Sequence, residues 1–188
     1  ILFDEFHERS LHADLALALC RESQTILRDD LKIIIMSATI DGAELSSVLG
    51  NAPVLKSLGR QFSITYNYFA HDVNEPLVKQ MARLIRKAFT NEEGDILAFL
   101  PGTGEIIRTQ ELLENELEGI TIQPLYGDLL FEKQQAALMP NPNGKRKIVL
   151  ATSIAETSLT IEGIKVVVDS GFSRVPKFNL KTGLTKLE

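Results

Sequence analysis

Short apolar runs alternate along the chain with longer stretches in which apolar residues recur every three or four positions. The short runs are rich in Val, Ile and Leu, which is typical of strands buried in a parallel sheet. They lie at residues 1–4, 32–36, 54–58, 95–99, 120–125, 147–151 and 165–169. The periodic stretches have the spacing of amphipathic helices and lie at residues 11–27, 41–50, 76–90, 105–117 and 131–139. This order predicts an α/β fold with parallel sheets and helices on both faces.

A change of pattern near residues 58–74 separates two predicted domains. Apolar residues after Gly59 alternate with polar ones, as in an edge strand or a linker. We therefore expect residues 1–60 to form part of one α/β domain and residues 61–188 most of a second. The chain begins directly with the buried-strand pattern of residues 1–4. We expect it to be an internal segment of a longer protein, with the first domain truncated on its amino-terminal side.

Composition narrows the class of protein. The 188 residues are 44% hydrophobic and 24% charged, which is ordinary for a soluble globular protein. No apolar run approaches the ~20 residues that span a bilayer, so we expect no membrane partner. The single cysteine, Cys20, cannot form an internal disulfide, which favours a reducing, cytoplasmic compartment.

The net charge of −5 argues against a protein that coats duplexes by charge alone. It is compatible with a narrow cleft that holds a single strand through a few backbone contacts. Positive charge is concentrated near the carboxyl end of the chain, at Arg174, Lys177, Lys181 and Lys186. A solvated surface is the alternative explanation for this run.

Acidic residues follow the first predicted strand directly. Asp4, Glu5 and His7 stand where residues 1–4 end, and the carboxyl ends of parallel strands are where α/β sheets bind ligands. An aspartate there can hold Mg²⁺ through water, and the next glutamate can deprotonate the water that attacks a γ-phosphate. Taken alone, these residues could equally form an acidic loop in which His7 pairs with a neighbouring carboxylate.

A second motif stands at the end of the next predicted strand. Ser37-Ala38-Thr39 follows residues 32–36 and so belongs to the same sheet edge. Alone, the tripeptide is explained as a helix N-cap. Together, residues 4–10 and 35–39 resemble motifs II and III of the DEAH/RHA helicases of superfamily 2. The residues that follow Asp4 are most similar to those of a bacterial ATP-dependent helicase in that family.

The predicted second domain carries further motifs of the same family. Residues 99–106 resemble motif IV, a strand followed by a glycine-containing turn that can present backbone N–H groups to phosphate. Residues 151–161 resemble motif V and are the most specific match, because their Ser and Thr residues follow a strand in the family's order. Residues 173–187 resemble the β-hairpin after motif V, with its turn at residues 179–183, and we expect this hairpin to be truncated in its second strand.

The resemblance spans nearly the whole chain and implies tandem RecA-like domains of the P-loop NTPase type. Such domains use ATP and Mg²⁺ to move along single-stranded nucleic acid, with RNA the favoured substrate. The resemblance assigns Asp4, Glu5 and His7 to catalysis, with Asp4 holding Mg²⁺ through water beside Glu5. It assigns Ser37 and Thr39 to coupling between nucleotide and strand. The residues that it places at the nucleic acid or the nucleotide are Gly102, Thr103, Thr152, Ser153, Thr157, Ser158 and Thr160.

The sequence departs from the family in three respects. The family usually has Asn at the position of Ser153. No Gly-x-x-x-x-Gly-Lys-Ser/Thr phosphate loop occurs in these 188 residues, and the arginine-rich motif VI is also absent. We therefore expect the isolated chain to be inactive and its parent protein to be an ATP-dependent helicase. The alternative is a non-catalytic α/β module for nucleic-acid binding or interaction, in which Asp4 and Glu5 have no chemical role.

Overall fold

The computed structural model describes residues 1–38, 42–57, 59, 62–117, 119–155 and 159–187. It divides into two compact units, Ile1–Tyr66 and Asn67–Glu188. The division follows Tyr66, whereas the sequence predicts a boundary after residue 60. Within the described ranges, no helix has both the length and the apolar character needed to cross a membrane.

The described residues of the first unit form two short parallel strands and two α-helices. β1 (Leu2–Phe3) and β2 (Ile34–Ile35) pair in parallel. Helix α1 (Leu11–Ile26) connects them, and helix α2 (Gly42–Val48) follows β2. Ser10 caps α1 by accepting a backbone N–H of its first turn with the side-chain hydroxyl, as short polar residues do at helix starts.

The first unit buries few apolar side chains. Among its described residues only Phe6 and Leu17 are buried, at 4% and 8% exposure. The apolar positions that define α1 in the sequence are largely exposed, at Leu11, Leu15, Leu19 and Ile26. The periodicity therefore predicts the helix correctly, but two strands of two residues each offer little surface for its apolar stripe to cover.

The strand predicted at residues 54–58 is wrong for its described part. Residues 54–57 have irregular backbone, and Val54 and Leu55 are 55% and 96% exposed. No strand pairs with them among the described residues. Apolar composition alone does not make a strand, because strand propensity depends on neighbours that pair and pack.

The second unit is built on a four-stranded parallel sheet with the order β4-β5-β3-β6. In chain order its elements are α3 (Leu77–Asn91), β3 (Asp95–Phe99), α4 (Thr103–Glu114), β4 (Thr121–Leu125), α5 (Phe131–Leu138), β5 (Lys147–Ala151) and β6 (Ile164–Asp169). A separate antiparallel hairpin follows, formed by β7 (Pro176–Asn179) and β8 (Leu184–Leu187). The predicted α/β class with parallel sheets is confirmed.

Both faces of the central strand β5 are buried. Ile148 faces the cluster that includes Ile85 of α3 and Ile106 of α4. Its neighbour Val149 faces the opposite cluster, which includes Ala137 of α5. Each fully buried Ile or Leu in such a core contributes about 1.5–3 kcal/mol, so the two clusters stabilise the sheet of the second unit from both faces.

One charged side chain, Lys147, lies inside this core at 1% exposure. Its Nζ donates to the carbonyl oxygens of Ala137 (2.8 Å) and Met139 (2.6 Å), which belong to the end of α5, where carbonyls lack helical partners. Its backbone N–H donates to Oδ1 of Asp95 (2.9 Å). Burial lowers the pKa of the Lys147 ammonium, while the charges of Asp95 and Glu162 oppose that shift. Lys147 thus ties the end of α5 to the start of β5.

Replacing Lys147 with Met should lower the free energy of unfolding by about 1–3 kcal/mol, because the carbonyl oxygens of Ala137 and Met139 lose their donor. Urea denaturation followed by circular dichroism measures this loss. Lys145→Met is the matched control, since Lys145 is exposed two positions before Lys147 and should change stability by no more than about 0.5 kcal/mol. Equal losses for the two variants would show that the buried amine makes no specific contribution.

Candidate nucleotide and nucleic-acid site

Parallel pairing brings the two motifs of the first unit to one edge of its sheet. Phe3 lies opposite Ile35, and two backbone hydrogen bonds continue the pairing past the strands. Met36 N–H donates to the Phe3 carbonyl (2.8 Å), and Phe6 N–H donates to the Met36 carbonyl (3.1 Å). The acidic motif and Ser37 therefore leave the sheet side by side.

His7 connects the two motifs directly. Its Nδ1 accepts the backbone N–H of Ala38 at 3.4 Å, and its Nε2 lies 3.4 Å from Oε2 of Glu5. A neutral imidazole whose Nδ1 accepts carries its proton on Nε2, which directs that N–H toward the carboxylate. Both distances are long for hydrogen bonds, so His7 orients Glu5 relative to the second motif without holding it tightly.

Glu5 has a backbone conformation that is unusual for a residue with a Cβ atom. Its φ and ψ are 47° and 37°, in the left-handed region, which costs about 1–2 kcal/mol for such a residue. The next residue, Phe6, is buried and packs edge-to-face on Phe3, with ring centroids 6.1 Å apart. This contact anchors the turn. Local strain of this kind is concentrated at functional sites.

The carboxylates of Asp4 and Glu5 suit a Mg²⁺ ion whose other ligands come from a bound substrate and water. The Asp4 carboxylate is exposed, and its Oδ1 accepts the Glu5 N–H at 2.8 Å. Across the described ranges, no group of three or more His, Cys, Asp or Glu residues could hold a metal by itself. Mg²⁺ in nucleotide sites takes one or two carboxylates together with substrate phosphates and water. The donor set at Asp4 and Glu5 suits that chemistry.

Loops of the second unit also meet at the carboxyl edge of their sheet. Three backbone hydrogen bonds extend the strand pairing into these loops: Leu100 N–H to the Ala151 carbonyl (2.8 Å), Thr152 N–H to the Leu125 carbonyl (3.2 Å) and Ser170 N–H to the Phe99 carbonyl (3.2 Å). The segments that resemble motifs IV and V are therefore neighbours.

The structure places four of the predicted residues around this edge or just after it. Gly102 is buried at the start of α4, and Thr103 is half-buried as the first residue of that helix. Thr152 is half-buried, and its carbonyl accepts the Ala155 N–H (3.2 Å) in the short 3-10 turn that begins at Ser153. Ser153 itself is exposed.

Thr160 is exposed and lies further along the chain, next to the buried residue Ile161. Three other predicted residues, Thr39, Thr157 and Ser158, lie outside the described residues. Ser37 is exposed directly after β2. The predicted site residues that the structure describes therefore form two groups. One is mainly acidic and lies in the first unit, and the other is rich in hydroxyls and lies in the second.

An ion cluster that sequence reasoning did not identify lies beside Gly102. The Glu105 carboxylate, 14% exposed, pairs with Arg108 at 2.8 Å and with Arg174 at 3.3 Å. The i,i+3 spacing of Glu105 and Arg108 is visible in the sequence. Arg174 is 69 positions from Glu105, and no local pattern connects the two.

The parallel sheet of the second unit, with helices on its faces and the candidate residues at the carboxyl ends of its strands, is that of a RecA-like α/β domain. Residues 77–182 match the helicase conserved C-terminal domain family. The chain belongs to that family.

The relatives are helicases of the predicted kind. The chain is 48% identical over its whole length to the ATP-dependent RNA helicase HrpB of Escherichia coli strain K12. It is 39% identical over its whole length to the ATP-dependent RNA helicase HrpA of Borreliella burgdorferi. The chain spans 23% of the length of each of these two proteins.

Two solved structures are similar to it. The crystal structure of the E. coli DEAH/RHA helicase HrpB matches with a TM-score of 0.88 and 49% identity, over 99% of this chain and 24% of that one. The crystal structure of the E. coli DExH-box NTPase HrpB matches with a TM-score of 0.86 and 48% identity, over 100% of this chain and 23% of that one. The predicted resemblance to DEAH/RHA helicases is confirmed.

A Glu5→Gly variant should be about 1 kcal/mol more stable than a Glu5→Ala variant. Both substitutions remove the carboxylate, but only glycine adopts the left-handed conformation without a steric cost. Urea denaturation of the two variants side by side measures the difference. If the alanine variant proved as stable as the glycine variant, the turn at Glu5 would hold no strain.

Proposed function

We propose that this chain is part of an ATP-dependent helicase that moves along single-stranded nucleic acid, with RNA as the favoured substrate. The observation that carries the proposal is the parallel pairing of β1 and β2, which places Asp4 and Glu5 beside Ser37 and Ala38 with His7 between them. The names of the two helicase relatives support ATP and RNA as the ligands. The alternative function, a non-catalytic module for nucleic-acid binding or interaction, does not explain why an acidic turn would be strained.

In this proposal the acidic turn carries the hydrolytic chemistry. Asp4 would hold Mg²⁺ through water, close to Glu5, and a bound Mg²⁺ neutralises charge on the β- and γ-phosphates. Glu5 would orient the attacking water and accept its proton. His7, Ser37 and Thr39 would transmit the state of the nucleotide to the grip on the strand, and the contact between His7 and Ala38 supports this role.

The carboxyl edge of the second sheet would hold the nucleic acid. Gly102 and Thr103 would offer N–H groups at the start of α4, where backbone donors lack helical partners. The hydroxyls of the remaining predicted residues would contact phosphates or the nucleotide; these are Thr152, Ser153, Thr157, Ser158 and Thr160. Hydroxyl and amide donors need no large positive field, which fits the net charge of −5.

We further infer the place of the chain in its parent protein. Residues 1–60 would come from the first RecA-like domain, and residues 61–188 from the second, including the hairpin that follows motif V. A cytoplasmic location fits the single, half-buried cysteine, Cys20.

In the full-length protein, Glu5→Gln should lower the ATPase rate at least about 100-fold while leaving ATP affinity nearly unchanged. The amide keeps the size of the side chain but cannot accept the proton of the attacking water. Steady-state hydrolysis together with equilibrium binding of ATP measures both quantities. Glu8→Gln is the matched control, since Glu8 is exposed in the same turn and should retain activity. Hydrolysis by Glu5→Gln within a few-fold of wild type would exclude Glu5 as the base.

Thr152→Ala in the full-length protein should weaken binding of single-stranded RNA about tenfold, the value of one lost hydrogen bond to a charged group. The loss should be similar for different base sequences, because phosphate contacts carry no sequence information. Fluorescence anisotropy with two oligonucleotides of different sequence tests this. Thr90→Ala is the control, since the Thr90 hydroxyl donates to the Arg86 carbonyl (3.0 Å) within α3. A lower melting temperature with unchanged affinity would show a purely structural role for Thr152.

A further inference from the structure

Arg174 lies against the turn that begins α4. It follows β6, which pairs with β3 in the sheet, so its loop and the Gly102 turn leave the same edge. Nη2 of Arg174 is 3.3 Å from Oε2 of Glu105 and 3.5 Å from Oε1. The Glu105 side chain is 14% exposed and the Arg174 side chain is 51% exposed. Glu105 is therefore the inner partner, and Arg174 presents part of its guanidinium to solvent.

The absence of a side chain on Gly102 leaves space for the Arg174 guanidinium. The φ and ψ of Gly102 are −172° and 171°, an extended conformation that any residue can adopt, so the backbone does not require glycine here. A Cβ atom on Gly102 would lie 2.8 Å from Nη1 and 3.0 Å from Cζ of Arg174, and 3.0 Å from Oε2 of Glu105. The missing side chain lets the guanidinium lie directly on the backbone at the start of α4.

The cluster carries more positive than negative charge. Glu105 also pairs with Arg108 at 2.8 Å, so two guanidinium groups share one carboxylate. A guanidinium has five N–H donors in a planar fork that matches the geometry of a phosphate. Because Glu105 is shared and Arg174 is half exposed, Arg174 retains donors for a further anion.

Positive charge continues from Arg174 onto the hairpin that begins at Pro176. Lys177 in β7 is directly opposite Lys186 in β8, and both are exposed. The two lysines extend the positive charge of this face beyond Arg174.

We propose that Arg174 binds a phosphate of the single-stranded nucleic acid and that Glu105 is its positioning residue. The inference rests on the proposed function, because that function places the strand at this edge of the sheet. It adds a charged contact to a predicted set that contained Gly102 and Thr103 but no arginine. A charged contact of this kind adds affinity without sequence preference.

The test uses the full-length protein and a fluorescent oligouridylate, with affinity measured by anisotropy over a range of salt concentrations. Arg174→Gln should weaken binding about tenfold at low salt. It should also reduce the slope of log K against log salt by about 0.7, the value for one phosphate contact on a single strand. Arg108→Gln is the matched control, because it removes the other guanidinium of the same carboxylate. It should leave affinity and slope nearly unchanged.

Gly102→Ala tests the same contact without removing any charge. Its Cβ would displace the guanidinium, and the melting temperature should hold because the clash falls on the end of a flexible side chain. It should weaken binding by a similar factor to Arg174→Gln. The double variant should bind no more weakly than either single variant, because both substitutions disrupt one contact.

Four results would overturn the inference. Arg174→Gln could leave affinity and slope unchanged, or Arg108→Gln could cause the same loss. The losses from Gly102→Ala and Arg174→Gln could be additive, or Arg174→Gln could raise the KM for ATP with unchanged RNA affinity. Each of these results leaves the proposed helicase function in place. A wild-type protein that binds no single-stranded RNA would instead overturn the proposed function together with this inference.

Discussion

The edges at which the candidate residues meet exist because neighbouring strands run in the same direction. In an antiparallel pair the loops after two adjacent strands would lie at opposite ends. In the described part of the first unit, β1 and β2 alone provide this alignment, with Leu2 opposite Ile34 and Phe3 opposite Ile35. In the second unit β5 pairs over its whole length with β4 on one side and β3 on the other. The described candidate residues at the two edges depend on this common direction.

The two units differ in the number of buried apolar side chains that pack behind the sheet edge carrying the candidate residues. The second unit encloses β5 between two apolar clusters, so its loops leave a rigid sheet. Among the described residues of the first unit, only Phe6 and Leu17 are buried. Local opening requires little energy where few apolar contacts must separate. The acidic turn is thus fixed mainly by Phe6 and by backbone hydrogen bonds. Its geometry is therefore more easily disturbed by local opening than that of the loops in the second unit.

Much of the second unit follows from the sequence alone. The strands at residues 95–99 and 147–151 were predicted at their observed bounds, because burial on both faces gives a continuous apolar run. The direction of the strands then predicts which loops are neighbours. The predicted strand at residues 54–58 failed in its described part because a strand needs a partner that composition does not reveal.

Features that depend on distant or unusual contacts were not predictable. No residue near Glu105 indicates that Arg174 will reach it, because the contact depends on the pairing of β6 with β3. The left-handed backbone of Glu5 also has no local signal, since glutamate is not a residue that favours it. The buried Phe6 follows directly after it and packs on Phe3, a contact that the local sequence does not specify.

The buried amine of Lys147 has a consequence for chemical reactivity. An acylating reagent must reach an uncharged amine, and the Lys147 Nζ is enclosed and bonded to the carbonyl oxygens of Ala137 and Met139. Lys145 is exposed and open to the same reagent. Lys147 can react only during moments when the end of α5 separates from β5. The rate at which Lys147 is acylated, compared with Lys145, therefore reports how often this part of the core opens in the folded protein.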